Sequence, residues 1–197
     1  MLSSSTTQVT RDINVYAVLT IYAYKVTFNP NNGTLTVNDK AYTSSSPYIT
    51  YTKGTFSFRY KPTRTGYEFN GWSSTPTPSE SYVGFFDDSI TINSSITYYA
   101  LWKQLFTVTW ANTDASIAIW ADGTTTNKTS IVTHGTQYKA LTAPAKFANP
   151  IKNSGDTIRY TAAWYTFPTN GVLLSSSTTQ VTKDITVYAV LTIYELH

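Results

Sequence analysis

A long internal repeat constrains this 197-residue chain more strongly than any other feature of its sequence. Residues 2–22 read LSSSTTQVTRDINVYAVLTIY, and residues 174–194 read LSSSTTQVTKDITVYAVLTIY. The two copies lie 172 residues apart and differ at two of their 21 positions. Near-identity at a fixed distance is the signature of a repeat architecture. We therefore interpret the chain as one period of a longer array plus a short overlap.

A weaker repeat divides this period into two units. The segment Ile96-Thr-Tyr-Tyr-Ala-Leu-Trp102 aligns with Ile185-Thr-Val-Tyr-Ala-Val-Leu191 at an offset of 89 residues. The segment Tyr24-Lys-Val-Thr-Phe28 aligns with Phe106-Thr-Val-Thr-Trp110 at an offset of 82. The alignment predicts three parts: a terminal strand segment of a preceding repeat over residues 1–22, module A over residues 23–103, and module B, a diverged copy, over residues 104–194.

The predicted junction between the modules is short. Only Lys103, Gln104 and Leu105 stand between Trp102, at the end of module A, and Phe106, at the start of module B. Flexible linkers are rich in Gly and Ser, and this junction contains neither. We therefore expect stiffly coupled modules, each of which contacts mainly its neighbours in the array.

Alternating apolar residues predict strands rather than helices. Tyr24, Val26 and Phe28 are separated by polar residues, and the same pattern recurs around Val108 in the second unit. Such a period of two marks a half-buried strand. The composition agrees, because the 36 Thr and 16 Tyr residues favour strands. We predict a mainly β fold and leave open a β-rich α+β fold with one short helix per unit.

Several functional classes are excluded by composition. The net charge of +3 is spread along the chain and forms no basic patch of the kind that binds nucleic acid. The longest apolar runs, such as residues 13–22, are half the roughly 20 residues that a membrane-spanning helix needs. The chain also lacks Cys, which removes disulfides and zinc–cysteine sites. We therefore expect neither a nucleic-acid partner nor membrane insertion.

The sequence offers little for catalysis. His134 and His197 are the two histidines, and neither lies in a recognisable catalytic motif. Asp87 and Asp88 are adjacent acids, but the ligand spacing of a calcium loop is missing around them. No Gly-rich phosphate loop and no nucleophile elbow is present. We predict a protein that is not an enzyme and that has no cofactor, no metal site and no catalytic residue.

Module A carries three ordered motifs that point to a known family. They are Val26-Thr-Phe-Asn-Pro-Asn-Asn-Gly-Thr34, Pro62-Thr-Arg-Thr-Gly-Tyr-Glu-Phe-Asn-Gly-Trp72 and Ile90-Thr-Ile-Asn-Ser-Ser-Ile-Thr-Tyr-Tyr-Ala-Leu-Trp102. Together they resemble the Listeria–Bacteroides repeat, also called the internalin B-repeat family, across the whole of module A. Module B resembles the family less closely, because Leu191 stands where the family has its final Trp.

The resemblance has implications for fold, location and role. It implies tandem β-grasp-like modules in an elongated arrangement, on extracellular proteins that are attached to the bacterial cell wall or secreted. Such modules act as stalks or as adhesive segments, and the resemblance implies no enzymatic activity.

The aromatic residues of the pattern suit a structural framework. Gly66 immediately precedes Tyr67, and Gly71 immediately precedes Trp72. This predicts an aromatic strand that begins and ends at glycines. We assign seven residues to this framework: Tyr67, Phe69, Gly71, Trp72, Trp102, Trp110 and Trp164.

Trp120 does not fit the same pattern. Three apolar neighbours share one face of a predicted strand and leave Trp120 on the other face. Those neighbours are Ile117, Ile119 and Ala121. At an offset of 82, the counterpart of Trp120 in module A is Asn38, so the framework does not require an aromatic there. Two interpretations remain open: Trp120 packs under a neighbouring loop or unit, or it forms a glycan-stacking platform.

The same two interpretations apply to Tyr48 and Tyr82 in module A. With Trp120, they form the candidate binding set, for which the partner would be a host glycan or receptor. The leading hypothesis is instead a stiff stalk, spacer or adhesive region whose partners are neighbouring repeats of the array. A third hypothesis is fibre assembly by strand exchange. Residues 13–22 form a strongly β-forming run, and we expect them to pair with module A or with another molecule.

Overall fold

The computed structural model describes residues 10–12, 14, 16, 22–77, 88–113, 119–147 and 158–195, without the side chains of residues 158–161 and 193–195. The predicted mainly β class is confirmed, since 50% of the described residues lie in strands and 4% in helical turns. The helical turns are 3-10 turns at Tyr138–Ala140 and Leu174–Ser176, and the described residues contain no α-helix. The strands are β1 (Tyr24–Asn29), β2 (Leu35–Val37), β3 (Lys40–Tyr42), β4 (Tyr48–Thr52), β5 (Gly54–Ser57), β6 (Tyr67–Ser73), β7 (Ser89–Ile92), β8 (Ile96–Ala111), β9 (Lys128–Thr133), β10 (Ile158–Tyr165) and β11 (Ile185–Glu195).

The first half of the chain builds a mixed sheet in the order β4-β1-β8-β6. Its two central strands, β1 and β8, are parallel, and Val26 pairs with Ile96. The outer strands β4 and β6 run antiparallel to their neighbours. Two antiparallel sheets of two strands each, β2-β3 and β5-β7, complete this half. The parallel pair therefore joins the first and last strands of the sequence region predicted as module A.

The second half repeats this order with the strands β9-β8-β11-β10. Its central strands, β8 and β11, are again parallel, and Val108 pairs with Ile185. Val108 lies 82 residues after Val26, and Ile185 lies 89 residues after Ile96. The two offsets found in the sequence therefore relate one parallel residue pair to the other.

A single strand, β8, passes through both halves. It spans 16 residues, of which the first part pairs with β1 and β6 and the second part with β9 and β11. The short junction expected at residues 103–105 lies inside this strand. Gln104 pairs with Tyr67 of β6 and Leu105 with Thr133 of β9, while the Leu105 amide donates to the Gly66 carbonyl at 2.9 Å. The two halves consequently share one continuous backbone ladder.

Each half has its own buried cluster, and the same ring contact recurs in both. In the first cluster Phe28 meets Trp72 edge to face, with ring centres 4.9 Å apart and planes at 75°. In the second cluster Trp110 meets Trp164 edge to face, at 4.8 Å and 87°. Phe28 and Trp110 correspond at the offset of 82, so the aromatic core contact is preserved although the residue type changes.

A β-bulge turns Trp72 into the first cluster. The register between β6 and β8 shifts between Phe69 and Trp72, and Gly71 within this bulge has a φ of 108°. This backbone conformation is open to glycine and strained for residues that carry a Cβ. The bulge explains why the sequence has Gly immediately before the buried tryptophan.

Two expectations fall largely outside the described residues. Tyr82 lies outside them, and so does most of the run of residues 13–22, including every residue from 17 to 21. Within that run, Asn14, Tyr16 and Tyr22 are described, and Tyr16 is 82% exposed. Pairing of this run within or between molecules stays a prediction. Within the described ranges, the structure contains no helix with the length and apolar character needed to cross a bilayer.

Candidate functional site

Trp120 is part of the second buried cluster and is not a surface platform. Its side chain has no exposed area, and its ring stacks on Phe147 at 4.2 Å and on Trp164 at 6.0 Å. Its indole N–H donates to the Thr126 carbonyl at 2.8 Å, so its one polar atom is also satisfied inside the protein. The glycan-stacking interpretation of Trp120 is therefore wrong, and the packing alternative describes its environment.

The alternation of apolar residues gave a wrong prediction for Trp120, because it placed the opposite face of the segment against the core. Ile119 is 37% exposed and Ala121 is exposed, whereas Trp120 between them is buried. The supposed counterpart, Asn38, lies in the turn between β2 and β3 with a φ of 48°. A fixed offset fails in this region because the connections after β1 and β8 differ in length and path.

The predicted framework residues are buried to different degrees. Trp72 and Trp110 are buried, as is Gly71, whereas the other four framework side chains are half-buried: Tyr67, Phe69, Trp102 and Trp164. The indole N–H of Trp72 donates to the Tyr60 carbonyl, and that of Trp110 donates to the Ser130 hydroxyl. Such hydrogen bonds fix the ring orientations, because a buried N–H without an acceptor is costly.

Tyr48 packs at the edge of the first cluster. Its ring lies 5.1 Å from Tyr42 and 4.9 Å from Tyr60, and its hydroxyl accepts a hydrogen bond from the Tyr60 hydroxyl at 3.1 Å. Desolvation and this hydrogen bond raise the pKa of Tyr60 to about 12. The Tyr48 ring is thus in contact with two neighbouring tyrosines. Tyr48 pairs with Phe28, and in the second half the corresponding strand residue, Trp110, pairs with Lys128. The tyrosine cluster is therefore specific to the first half.

An open groove of about 960 Å³ lies where the two halves meet, and we call it the junction groove. The first half supplies the turn after β1 and the segment leading into β6, while the second half supplies parts of β8 and β9. The lining residues are Asn32, Gly33, Thr34, Lys61, Pro62, Thr63, Arg64, Thr65, Tyr67, Glu68, Phe69, Trp102, Leu105, Ile131 and Thr133.

The junction groove combines aromatic, cationic and hydroxyl groups. The Arg64 guanidinium lies 3.7 Å from the centre of the Tyr67 ring, a cation–π contact that holds the positive charge against the wall. The Trp102 indole N–H donates to the Pro30 and Asn31 carbonyls, at 3.1 and 2.9 Å, and so fixes the ring at the groove edge. Ile131 adds an apolar rim residue that is 61% exposed.

A surface ion pair lies elsewhere, beside the turn that follows Trp120. Lys128 Nζ donates to an Asp122 carboxylate oxygen, and Thr124 adds bonds from its amide and hydroxyl. These hydrogen bonds, with that of Lys128 the largest cause, lower the pKa of Asp122 to about 2. Because Asp122 is exposed, we interpret this ion pair as a contact that stabilises the turn and not as part of a binding site. Among the described residues, no group of three or more His, Asp or Glu side chains is placed to hold a metal ion.

Comparison with known proteins finds a family match for part of the chain. The family model of the Listeria-Bacteroides repeat domain matches residues 24–101. This segment is similar to the Listeria-Bacteroides repeat domain. The comparison with curated proteins and that with solved structures gave no match. The match begins at the first residue of β1 and ends within β8, so it confirms the resemblance seen in module A.

The family places the segment in a broad functional class. Listeria-Bacteroides repeats are a non-catalytic domain type and are typical of bacterial surface or extracellular proteins. In this repeat the three matching sequence motifs become β1 with its turn, the segment ending in the Trp72 bulge, and β7 with the start of β8. The two tryptophans that end the second and third motifs, Trp72 and Trp102, lie in the core and at the junction groove.

Gly33 of the repeat provides a test of the packing around Trp102. A Cβ on residue 33 would lie 2.5 Å from the Trp102 ring and 2.7 Å from the Thr63 carbonyl oxygen. Gly33→Ala is therefore expected to lower the free energy of unfolding by about 1–3 kcal/mol through overpacking. Urea unfolding followed by tryptophan fluorescence measures this loss. Gly66→Ala is the control, because a Cβ on residue 66 would meet no atom within 4 Å. Any loss of stability in this variant comes from the φ of 76° alone. Equal stability of Gly33→Ala and the parent chain would contradict the close approach.

Proposed function

We propose that the two halves are coupled modules of a stiff extracellular stalk in a bacterial surface protein. The observation that supports this most directly is β8, which passes from one sheet into the other without a loop. At about 3.3 Å per residue, its 16 residues extend over roughly 53 Å. A hinge would require backbone without a ladder at the junction, whereas Gln104 and Leu105 both have strand partners.

The recurrence of the parallel pairs supports a modular interpretation of the same structure. The strand order and the register of the parallel pairs recur in the halves predicted as module A and module B. Since residues 2–22 repeat residues 174–194, we infer that further modules of this kind adjoin the chain in its array. Neighbouring repeats are then the first partners of each module, and distance from the cell surface is what the array provides.

Small-angle X-ray scattering of the chain tests the stalk proposal. A compact protein of 197 residues has a radius of gyration of about 16 Å. An extended pair of modules is expected to exceed this value clearly, with a distance distribution skewed to long distances. A chain with four Gly/Ser residues inserted between Gln104 and Leu105 is the matched control and is expected to show a broader distribution. A radius of gyration near that of a compact protein would overturn the proposal.

We also propose a second candidate function, the binding of a host glycan or receptor, and we place it in the junction groove instead of at Trp120. The groove is supported as a candidate because it joins the half-buried Trp102, threonine hydroxyls and the cation of Arg64. Carbohydrate sites use such a mixture of aromatic surface and a few polar groups.

A glycan array that includes acidic and neutral sugars tests this second function. Arg64→Ala is expected to weaken binding about tenfold, a loss of about 1.4 kcal/mol. Arg59→Ala removes the same charge at an exposed position outside the groove lining and is the matched control. Absence of any bound sugar, or equal losses in both variants, would remove the groove from consideration.

A further inference from the structure

The parallel pairing of first and last strands has a mechanical consequence. The chain enters the first half at the start of β1 and leaves it along β8, and these two strands are hydrogen-bonded neighbours that run in the same direction. Tension between the two ends therefore pulls β1 and β8 in opposite directions along their shared ladder. All bonds of the ladder are loaded in shear at once, because none can open before the strands slide.

The second half has the same arrangement. The chain enters along β8 and leaves along β11, again through a parallel ladder of four registered pairs, from Val108↔Ile185 to Ala111↔Tyr188. The first ladder also contains four pairs, from Val26↔Ile96 to Asn29↔Tyr99. Between the two ladders the load passes through the backbone of β8 itself. The four outer strands, β4, β6, β9 and β10, lie beside this path.

Side-chain hydrogen bonds extend both ladders at the same place. The Lys25 amide at the start of β1 donates to the Ser95 hydroxyl at 3.0 Å. The corresponding amide in the second half, Thr107, donates to Asp184 Oδ1 at 2.8 Å. Lys25 and Thr107 are related by the offset of 82, and Ser95 and Asp184 by the offset of 89. Each ladder is thus closed at its entry by a polar side chain that precedes the last strand.

The two parallel ladders are also protected from water. Each is central in its sheet, with another strand on either side. Val26 and Phe28 on β1, and Val187 and Ala189 on β11, are buried against the two clusters. A hydrogen bond that water cannot reach is harder to exchange for a bond to solvent when the strands are strained.

We propose that these two parallel ladders, β1–β8 and β8–β11, are tandem mechanical clamps that hold the chain folded under tension along its length. This function goes beyond a spacer, which needs stiffness alone, and depends on the stalk proposal only for its biological use. The clamps resist force applied along the chain and offer no special resistance to force applied across the sheet.

Single-molecule force spectroscopy with two tethering geometries tests the clamps. The chain has no Cys, so introduced cysteines give unique attachment points. Tethering through Ala23→Cys and Glu195→Cys loads both parallel ladders in shear. Tethering through Ala23→Cys and Lys53→Cys pulls at the same end of the antiparallel β1–β4 pair, where Tyr24 faces Thr52, and opens its bonds one at a time.

The shear geometry is expected to need at least about twice the rupture force of the opening geometry, since four pairs share the load in each ladder. Ser95→Ala is expected to weaken the first clamp in the shear geometry and to leave the opening geometry unchanged. Equal forces in the two geometries, or a lower force in shear, would overturn the inference. Scattering reports shape without force, so a compact shape with a high shear force would reject the stalk and retain the clamps.

Discussion

Trp72→Ala is expected to lower the free energy of unfolding by about 3–5 kcal/mol, the largest loss from any single truncation in the first cluster. Trp72 is fully buried, and its ring contacts Phe28 at 4.9 Å and Phe69 at 5.4 Å. Truncation leaves a cavity among these rings and also leaves the Tyr60 carbonyl without its donor. Equilibrium denaturation in urea, followed by circular dichroism, measures the change.

Two further variants separate the contributions to this loss. Trp72→Phe keeps an aromatic ring and loses the N–H, so it is expected to cost less than Trp72→Ala. Tyr51→Ala removes an aromatic side chain that is 66% exposed on β4 and is expected to change stability by less than about 0.5 kcal/mol. If Trp72→Ala were no more destabilising than Tyr51→Ala, the assignment of Trp72 to the core would be incorrect.

Leu105→Pro is expected to destabilise both halves of the molecule together. Leu105 lies in the middle of β8, and its amide donates to the Gly66 carbonyl. Proline has no amide hydrogen to donate. A lost ladder bond and an orphaned carbonyl amount to roughly 2–4 kcal/mol. Because β8 contributes to both sheets, amide hydrogen exchange is expected to accelerate in β1 and in β11, which lie on opposite sides of the junction.

Leu105→Ala is the control for this substitution. It shortens the same half-buried side chain but keeps the amide, so exchange in β1 and β11 is expected to stay close to that of the parent chain. Faster exchange confined to one half of Leu105→Pro would show that the halves unfold independently. It would therefore argue against mechanical coupling through β8.

The strand content was largely predictable from the sequence. Alternation in residues 24–28 identified β1, and its copy around Val108 identified the second part of β8. These predictions succeed because strand side chains alternate between faces, so that a half-buried strand leaves a local signal. The repeat indicated which strands correspond in the two halves. Its offsets of 82 and 89 residues relate the parallel pair Val26↔Ile96 to the pair Val108↔Ile185.

The position of Trp120 and the location of the candidate groove were not predictable in this way. The offset between corresponding residues changes along the chain, from 82 at β1 to 80 between Thr50 and Ser130, and to 89 at the last strand. A fixed offset therefore assigned Trp120 to a counterpart in an exposed turn. The junction groove combines residues from Asn32 to Thr133, and no local pattern indicates that such distant segments meet.

A repetitive, mainly β chain rich in aromatic residues can be recognised without the structure, because strands alternate between neighbouring residues and the duplication is visible when residues 2–22 are aligned with residues 174–194. Tertiary structure alone decided that β8 belongs to both sheets, that the first and last strands of each half run parallel, and that Trp120 faces inward. These features depend on pairings across 70 residues or more, as between Val26 and Ile96, and on which face of a segment meets a core. Long-range packing selects among strand partners that local sequence leaves equivalent.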